Sequence, residues 1–104
     1  MSAVKEAFYE KYAQAAIDQQ IKYGIPASIT LQQMALESGY GTSDLAANYN
    51  NYFGVKAGSS WKGPTVMKVD DHSYPEAFRV YGSVEESVEN LSLIHISEPT
   101  RRLT

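Results

Sequence analysis

Apolar positions along this chain keep a helical spacing through its first half and then break into short runs. In AVKEAFYEKYAQAAIDQQIKYG, the residues Val4, Phe8, Tyr12, Ala15 and Ala16 recur at helical spacing, with no internal Gly or Pro. This predicts a helix over residues 3–23. Gly24 is placed to cap it and Pro26 to stop it. PASITLQQMALES predicts a second helix running to Gly39, in which Thr30, Gln33, Met34 and Glu37 share one stripe while Ile29 and Leu36 fall toward another. Thr42 or Ser43 can cap a short third helix in TSDLAANYN, and Asn50 and Asn51 read as its stop. After that the period changes. YFGVK, TVMKV and FRVY are short β-branched or aromatic runs separated by AGSSWKGP and DDHSYPEA, and they predict an antiparallel β-lobe of two or three strands. Ser83 followed three residues later by Glu86 is a capping-box pattern that opens another helix, SVEESVENL. The predicted fold class is α+β, mostly α, with a helical lobe and a small antiparallel β-lobe.

Composition narrows the picture. A chain of 104 residues that is 43% hydrophobic buries one modest core, so a single domain is expected. The net charge of -3, with no Lys/Arg cluster before the last four residues, argues against nucleic acid or an anionic membrane surface as partner. The absence of cysteine removes disulfides, Cys-ligated metals and a thiol nucleophile. No stretch is long and apolar enough to span a bilayer, and MSAVKEAFYEKY does not read as an export signal. His72 and His95 lack partners at a metal-ligand spacing, so neither metal nor cofactor is expected.

ALESGYG places one acid, Glu37, in the last turn of an otherwise uncharged helical stretch. A carboxyl there meets the negative end of the helix dipole among apolar neighbours, and a carboxylic acid kept protonated near neutral pH serves as a general acid. Beside a β-lobe rich in acids and aromatics, that suits glycoside hydrolysis, which often adds a second carboxylate across the cleft. Asp70, Asp71 and Glu76 are the candidates, all between TVMKV and FRVY. Tyr40, Tyr49, Tyr52, Phe53, Trp61 and Tyr74 are the candidate platforms for the flat faces of sugar rings. By spacing alone, a lone helical Glu is more often solvated, paired Asp is turn chemistry, and Phe53 is core.

YAQAAIDQQIKYGIPASITLQQMALESGYGTSDLAANYNNYFGVK closely resembles the glucosaminidase domain of bacterial peptidoglycan hydrolases, glycoside hydrolase family 73. The resemblance continues through Trp61 to Gly63 and FRVYGSVEESVEN, and spans residues 8–90. It implies a lysozyme-like fold around a glycan cleft and hydrolysis of the β-1,4 bond between N-acetylglucosamine and N-acetylmuramic acid. It places the catalytic acid on Glu37 and a second acid on Asp70 or Asp71, although the substrate's own acetamido group is an alternative to that second acid. Tyr40 stands where the family usually has Trp, and Tyr40, Asn51, Tyr52, Phe53, Trp61 and Tyr74 make up the implied substrate-binding set. The implied partner is a peptidoglycan glycan strand, met by a monomer acting outside the cell, in the periplasm or in a phage lytic apparatus. A lytic transglycosylase and a non-catalytic wall-binding module are the rival readings.

After Asn90 the resemblance stops. In one reading frame the transposon-end adapter of tagmentation libraries translates as LSLIHISEPTR, which matches Leu91 to Arg101. The expected organisation is therefore a C-terminally incomplete glucosaminidase domain over residues 1–90 and a non-native tail over residues 91–104.

Overall fold

The computed structural model describes residues 3–69 and 74–97. Helix α1 (Ala3–Tyr23) buries Phe8, Tyr12, Ala16 and Gln19, a stripe at the predicted helical spacing. Val4 falls outside it and stays exposed. Helix α2 (Ala27–Ser38) starts behind Pro26 and buries Thr30, Met34, Ala35 and Ser38, whereas Ile29 and Leu36 face outward as their separate stripe predicts. Gly39 closes α2 in the left-handed conformation, its backbone N–H directed at the carbonyls of Ala35 and Leu36. Helix α3 (Asp44–Tyr49) is capped by Ser43, whose hydroxyl accepts from the Ala46 amide, and it ends at Asn50 with φ 57°.

The β-lobe is one antiparallel pair, β1 (Thr65–Val69) and β2 (Pro75–Arg79), in the register Thr65 opposite Arg79 and Val69 opposite Pro75. Pro75 opens β2 at a position where a missing N–H costs no ladder bond. The third candidate run, YFGVK, supplies only an isolated bridge between Lys56 and Phe78. The reason is local. The Ala57 amide bonds the Ala77 carbonyl at 2.8 Å and the Arg79 amide bonds the Val55 carbonyl at 3.0 Å, but the next bond, from the Val55 amide to the Arg79 carbonyl, is replaced by the Asn51 side chain, which accepts from the Val55 N–H at 3.0 Å and donates to the Arg79 carbonyl at 2.9 Å.

Helix α4 (Val84–Ser97) opens with the expected capping box: the Glu86 amide donates to the Ser83 hydroxyl, and the Glu86 carboxylate accepts from the Gly82 amide. It runs on past Asn90 without a break, and Leu91 is 2% exposed in the same core as Phe8, Tyr12, Met34, Ala35, Tyr52, Phe53, Val55 and Val88. That core lies where α1 packs against both α2 and α4. Among the described residues, no helix is long and apolar enough to cross a membrane.

Candidate active site

Glu37 is half-buried in the last turn of α2, at the edge of the stripe that carries Thr30 and Met34 into the core. Immediately beyond it the backbone reverses. Gly39, Tyr40 and Gly41 all have positive φ, at 58°, 57° and 83°, so the chain turns back sharply within three residues. Tyr40 has a Cβ and is strained there, which its ring contacts offset by packing edge-on to Phe8 and Tyr9 of α1 with centroids 5.7 and 6.1 Å away. Gly41 lies against Phe8 and Tyr52, where a Cβ would sit 3.5 Å from one ring and 3.6 Å from the other. Ser38, fully buried, brackets the turn: its hydroxyl donates to the Met34 carbonyl at 2.6 Å and accepts from the Gly41 amide at 2.9 Å. The helix end that carries Glu37 is thus held rigidly. Among the described residues the Glu37 carboxyl makes no hydrogen bond or ion pair, which leaves both of its oxygens open to a ligand.

The β-lobe is tied to this end of the helical lobe. Lys68 of β1 forms an ion pair with Asp44 of α3 and lies over the Tyr49 ring at 5.6 Å, and the pairing holds the Asp44 carboxyl below its ordinary value. Two asparagines clamp the exit of β2. Asn50 donates to the Tyr81 carbonyl at 3.0 Å, Asn51 donates to the Arg79 carbonyl at 2.9 Å, and the Tyr81 amide bonds the Tyr49 carbonyl at 3.0 Å.

The expected site residues separate into distinct places. Asn51, Tyr52 and Phe53 are 1%, 6% and 3% exposed and lie in the core where the lobes meet. The Tyr52 hydroxyl is bonded to that of Tyr12 at 3.0 Å, and burial together with this bond raises it above the ordinary phenol range. Tyr40 belongs to the aromatic group on α1 just described. Tyr74 is 69% exposed ahead of β2. Trp61 lies elsewhere, its indole N–H on the Pro64 carbonyl at 2.9 Å, the Arg79 guanidinium 4.8 Å from its ring and Tyr81 edge-on at 5.5 Å. Glu76 is paired with Lys56 at 3.4 Å. Asp70 and Asp71, with His72, lie outside the described residues.

Two clusters were not foreseen. Asn90 accepts from both Arg79, at 2.8 Å, and the Tyr81 hydroxyl, and burial pushes that hydroxyl up to about 12. Glu89 accepts from Tyr23, from Gln19 at 3.0 Å and from Lys22, and these donors hold its carboxyl down at about 2. The alternation Arg79-x-Tyr81 in a strand-like run was a signal for the first. Glu89 carried no local signal, because its partners are 66 to 70 residues away in the chain.

A helical lobe ending in an uncommitted carboxyl and clamped to a two-stranded lobe defines the two-lobed α+β class to which lysozyme-like glycosidases belong. Residues 13–102 match the sequence profile of the glucosaminidase family, described as mannosyl-glycoprotein endo-beta-N-acetylglucosaminidase, and the chain belongs to that family. The peptidoglycan hydrolase FlgJ of Salmonella typhimurium is 38% identical over 78 residues, which cover 64% of this chain and 25% of that protein. The exo-glucosaminidase LytG of Bacillus subtilis is 40% identical over 76 residues, covering 66% of this chain and 26% of that protein. The chain therefore spans about a quarter of the length of these relatives. The crystal structure of a peptidoglycan hydrolase from Sphingomonas sp. A1 superposes with a TM-score of 0.80 at 30% identity, over 89% of this chain and 62% of that one.

Proposed function

We propose that this chain carries the catalytic acid of a peptidoglycan N-acetylglucosaminidase, with Glu37 as that acid. The observation that carries the reading is the place of Glu37: a carboxyl in the last turn of α2 with no partner among the described residues, inside the span that matches the family. The Glu37 carboxyl gives its proton to the glycosidic oxygen as the bond from C1 of N-acetylglucosamine to O4 of N-acetylmuramic acid breaks. If the second group is Asp70 or Asp71, its carboxylate takes a proton from the water whose oxygen bonds to C1; if it is the substrate's own acetamido oxygen, that oxygen bonds to C1 as the glycosidic bond breaks, and water then displaces it from C1 while giving a proton back to the Glu37 carboxylate. The names of the relatives, peptidoglycan hydrolase and exo-glucosaminidase, support the bacterial cell wall as the substrate and therefore action outside the cytoplasmic membrane. We further propose that residues 91–104 are a non-native tail joined after Asn90, which resequencing of the source locus across that junction tests directly.

Turbidity clearing and reducing-end analysis on purified peptidoglycan, with the chain and its Glu37→Gln variant, test the activity. The expected result is release of reducing N-acetylglucosamine that falls by roughly 10²- to 10⁴-fold in the variant, the range for loss of a general acid. Release of 1,6-anhydro-muramic ends would instead make the chain a lytic transglycosylase. Binding to peptidoglycan without turnover by either protein would make it a wall-binding module.

A further inference from the structure

Between α1 and the first turns of α4 lies a cavity of about 230 Å³, lined by Ala15, Asp18, Gln19 and Lys22 from one helix and by Glu85, Val88 and Glu89 from the other. All of these residues precede Asn90, so the cavity owes nothing to the segment that follows. Its polar groups are unequally committed. Glu89 accepts from Gln19 Nε2 at 3.0 Å, from Tyr23, and from Lys22, whose ammonium meets both carboxylate oxygens at 3.1 and 3.0 Å. Lys22 and Glu89 therefore cancel in charge. The rest of the wall is not satisfied. Gln19 is 7% exposed, and its Oε1 is buried with no donor among the described residues, although buried carbonyl oxygens are nearly always paired. Its Nε2 is bonded to Glu89, another wall of the same cavity, which puts the amide end of Gln19 at that wall. Asp18 accepts from Gln14 at 2.8 Å through one oxygen, while its other oxygen and the Glu85 carboxylate have no partner among the described residues. What remains is an amide oxygen and two uncompensated carboxylates beside the apolar side chains of Ala15 and Val88.

Acceptors without donors, two of them charged, call for a cation with several N–H groups. A primary ammonium offers three donors and no acceptor, and an alkyl chain behind it suits Ala15 and Val88. A metal ion is a poorer match, because among the described residues no group of three His, Asp or Glu side chains is placed to hold one. A single bridging water is poorer too, since the cavity is several times the ~30 Å³ that one water takes up in the liquid. We propose that this cavity binds an aliphatic primary ammonium, which donates to Gln19 Oε1 and to the carboxylates of Asp18 and Glu85. Two kinds of molecule carry that group, a free diamine and a peptide with a lysine-type side chain. Glu37 is not among the lining residues, so the inference goes beyond the hydrolase reading and does not depend on it.

The side-chain amide signals of Gln19 in a nitrogen-15 NMR spectrum report on the cavity without any turnover. The full chain is titrated with 1,5-diaminopentane, with Nα-acetyl-lysine amide, and with Nα,Nε-diacetyl-lysine amide, in which a neutral amide replaces the ammonium. A saturable shift of the Gln19 signals is expected with an ammonium compound, and binding of the diacetyl compound should be weaker by roughly 10-fold or more, the loss of a charge-assisted hydrogen bond. Tighter binding of the diamine assigns a free amine as the ligand, and tighter binding of the lysine derivative assigns a peptide side chain. Asp18→Asn and Glu85→Gln keep the size of each side chain and remove its charge, and each should weaken binding by roughly 5- to 10-fold. Both positions are exposed, and circular dichroism establishes that the variants are folded. Glu10→Gln, at an exposed position of α1 outside the cavity, removes the same charge and should leave the affinity unchanged. No saturable shift at Gln19, an equal response to the diacetyl compound, unchanged affinity in the folded Asp18 and Glu85 variants, or an equal loss in Glu10→Gln would overturn the proposal. None of these results bears on Glu37, so the hydrolase reading and the ammonium site stand or fall separately.

Discussion

The Asn51 side chain shows how much one residue can organise. Its amide donates to the carbonyls of Val55 and Arg79, and its oxygen accepts from the Val55 amide, all at 2.9 to 3.0 Å and away from water. Asn51→Ala removes these bonds together and leaves backbone groups unpaired, for a destabilisation of about 2–4 kcal/mol measured by urea unfolding. In the sequence, Asn50 and Asn51 were legible as a helix stop, which Asn50 is. The second task of Asn51 was not legible, because a side chain that bonds backbone four residues on and again twenty-eight residues on leaves no periodic trace. Glu37 was the opposite case. Its setting in an uncharged helical end is written locally, so its place in the structure matches the reading of the residues.

At the scale of elements, the reversal after α2 governs where Glu37 points. Gly41 combines a φ of 83° with ordinary contact to the rings of Phe8 and Tyr52. Gly41→Ala is therefore expected to cost about 1–2 kcal/mol, mostly from the backbone, read as a lowered thermal midpoint. The starts of the helices were legible to within a residue or two: α1 begins at Ala3 and the Ser83–Glu86 capping box opens α4, although α4 runs on to Ser97, past the predicted SVEESVENL. Caps and periodicity act within one or two turns, which is why they survive folding unchanged. The strands were less legible. TVMKV became β1, but FRVY is displaced, with β2 beginning at Pro75 and ending at Arg79, because the residue before β1 is Pro64, which accepts the Val80 amide but has no N–H to return, and the Tyr81 amide goes to the Tyr49 carbonyl.

At the scale of the whole molecule, α1 and α4 are joined through Glu89. Its folded-state carboxyl sits at about 2, below the ordinary 4.5, through hydrogen bonds from Tyr23, Gln19 and Lys22. On acidification the unfolded chain therefore takes up a proton at Glu89 at a higher pH than the folded one. Stability from this cluster is thus complete above about pH 4.5 and lost as the pH falls toward 2. Acid titration of stability should show that limb, and Glu89→Gln should flatten it. Leu91 tests the same junction from the apolar side. Its burial makes Leu91→Ala cost about 2–5 kcal/mol in a denaturant melt, whatever the origin of the residues after Asn90.

The sequence by itself determined the order and the starts of the helices, the turn chemistry at Gly39 and Ser43 and the α+β class, and it singled out Glu37 as the candidate acid. These depend on side-chain periodicity and on hydrogen bonds between near neighbours. Only the tertiary structure decided which aromatics are core and which remain accessible, turning Tyr52 and Phe53 inward and leaving Trp61 at an open cavity beside α4. It alone brought Glu89 to Tyr23 and Asn90 to Arg79 and Tyr81. Those choices belong to the packing of one helix against another, where partners distant in the chain compete for the same buried space and the same donors.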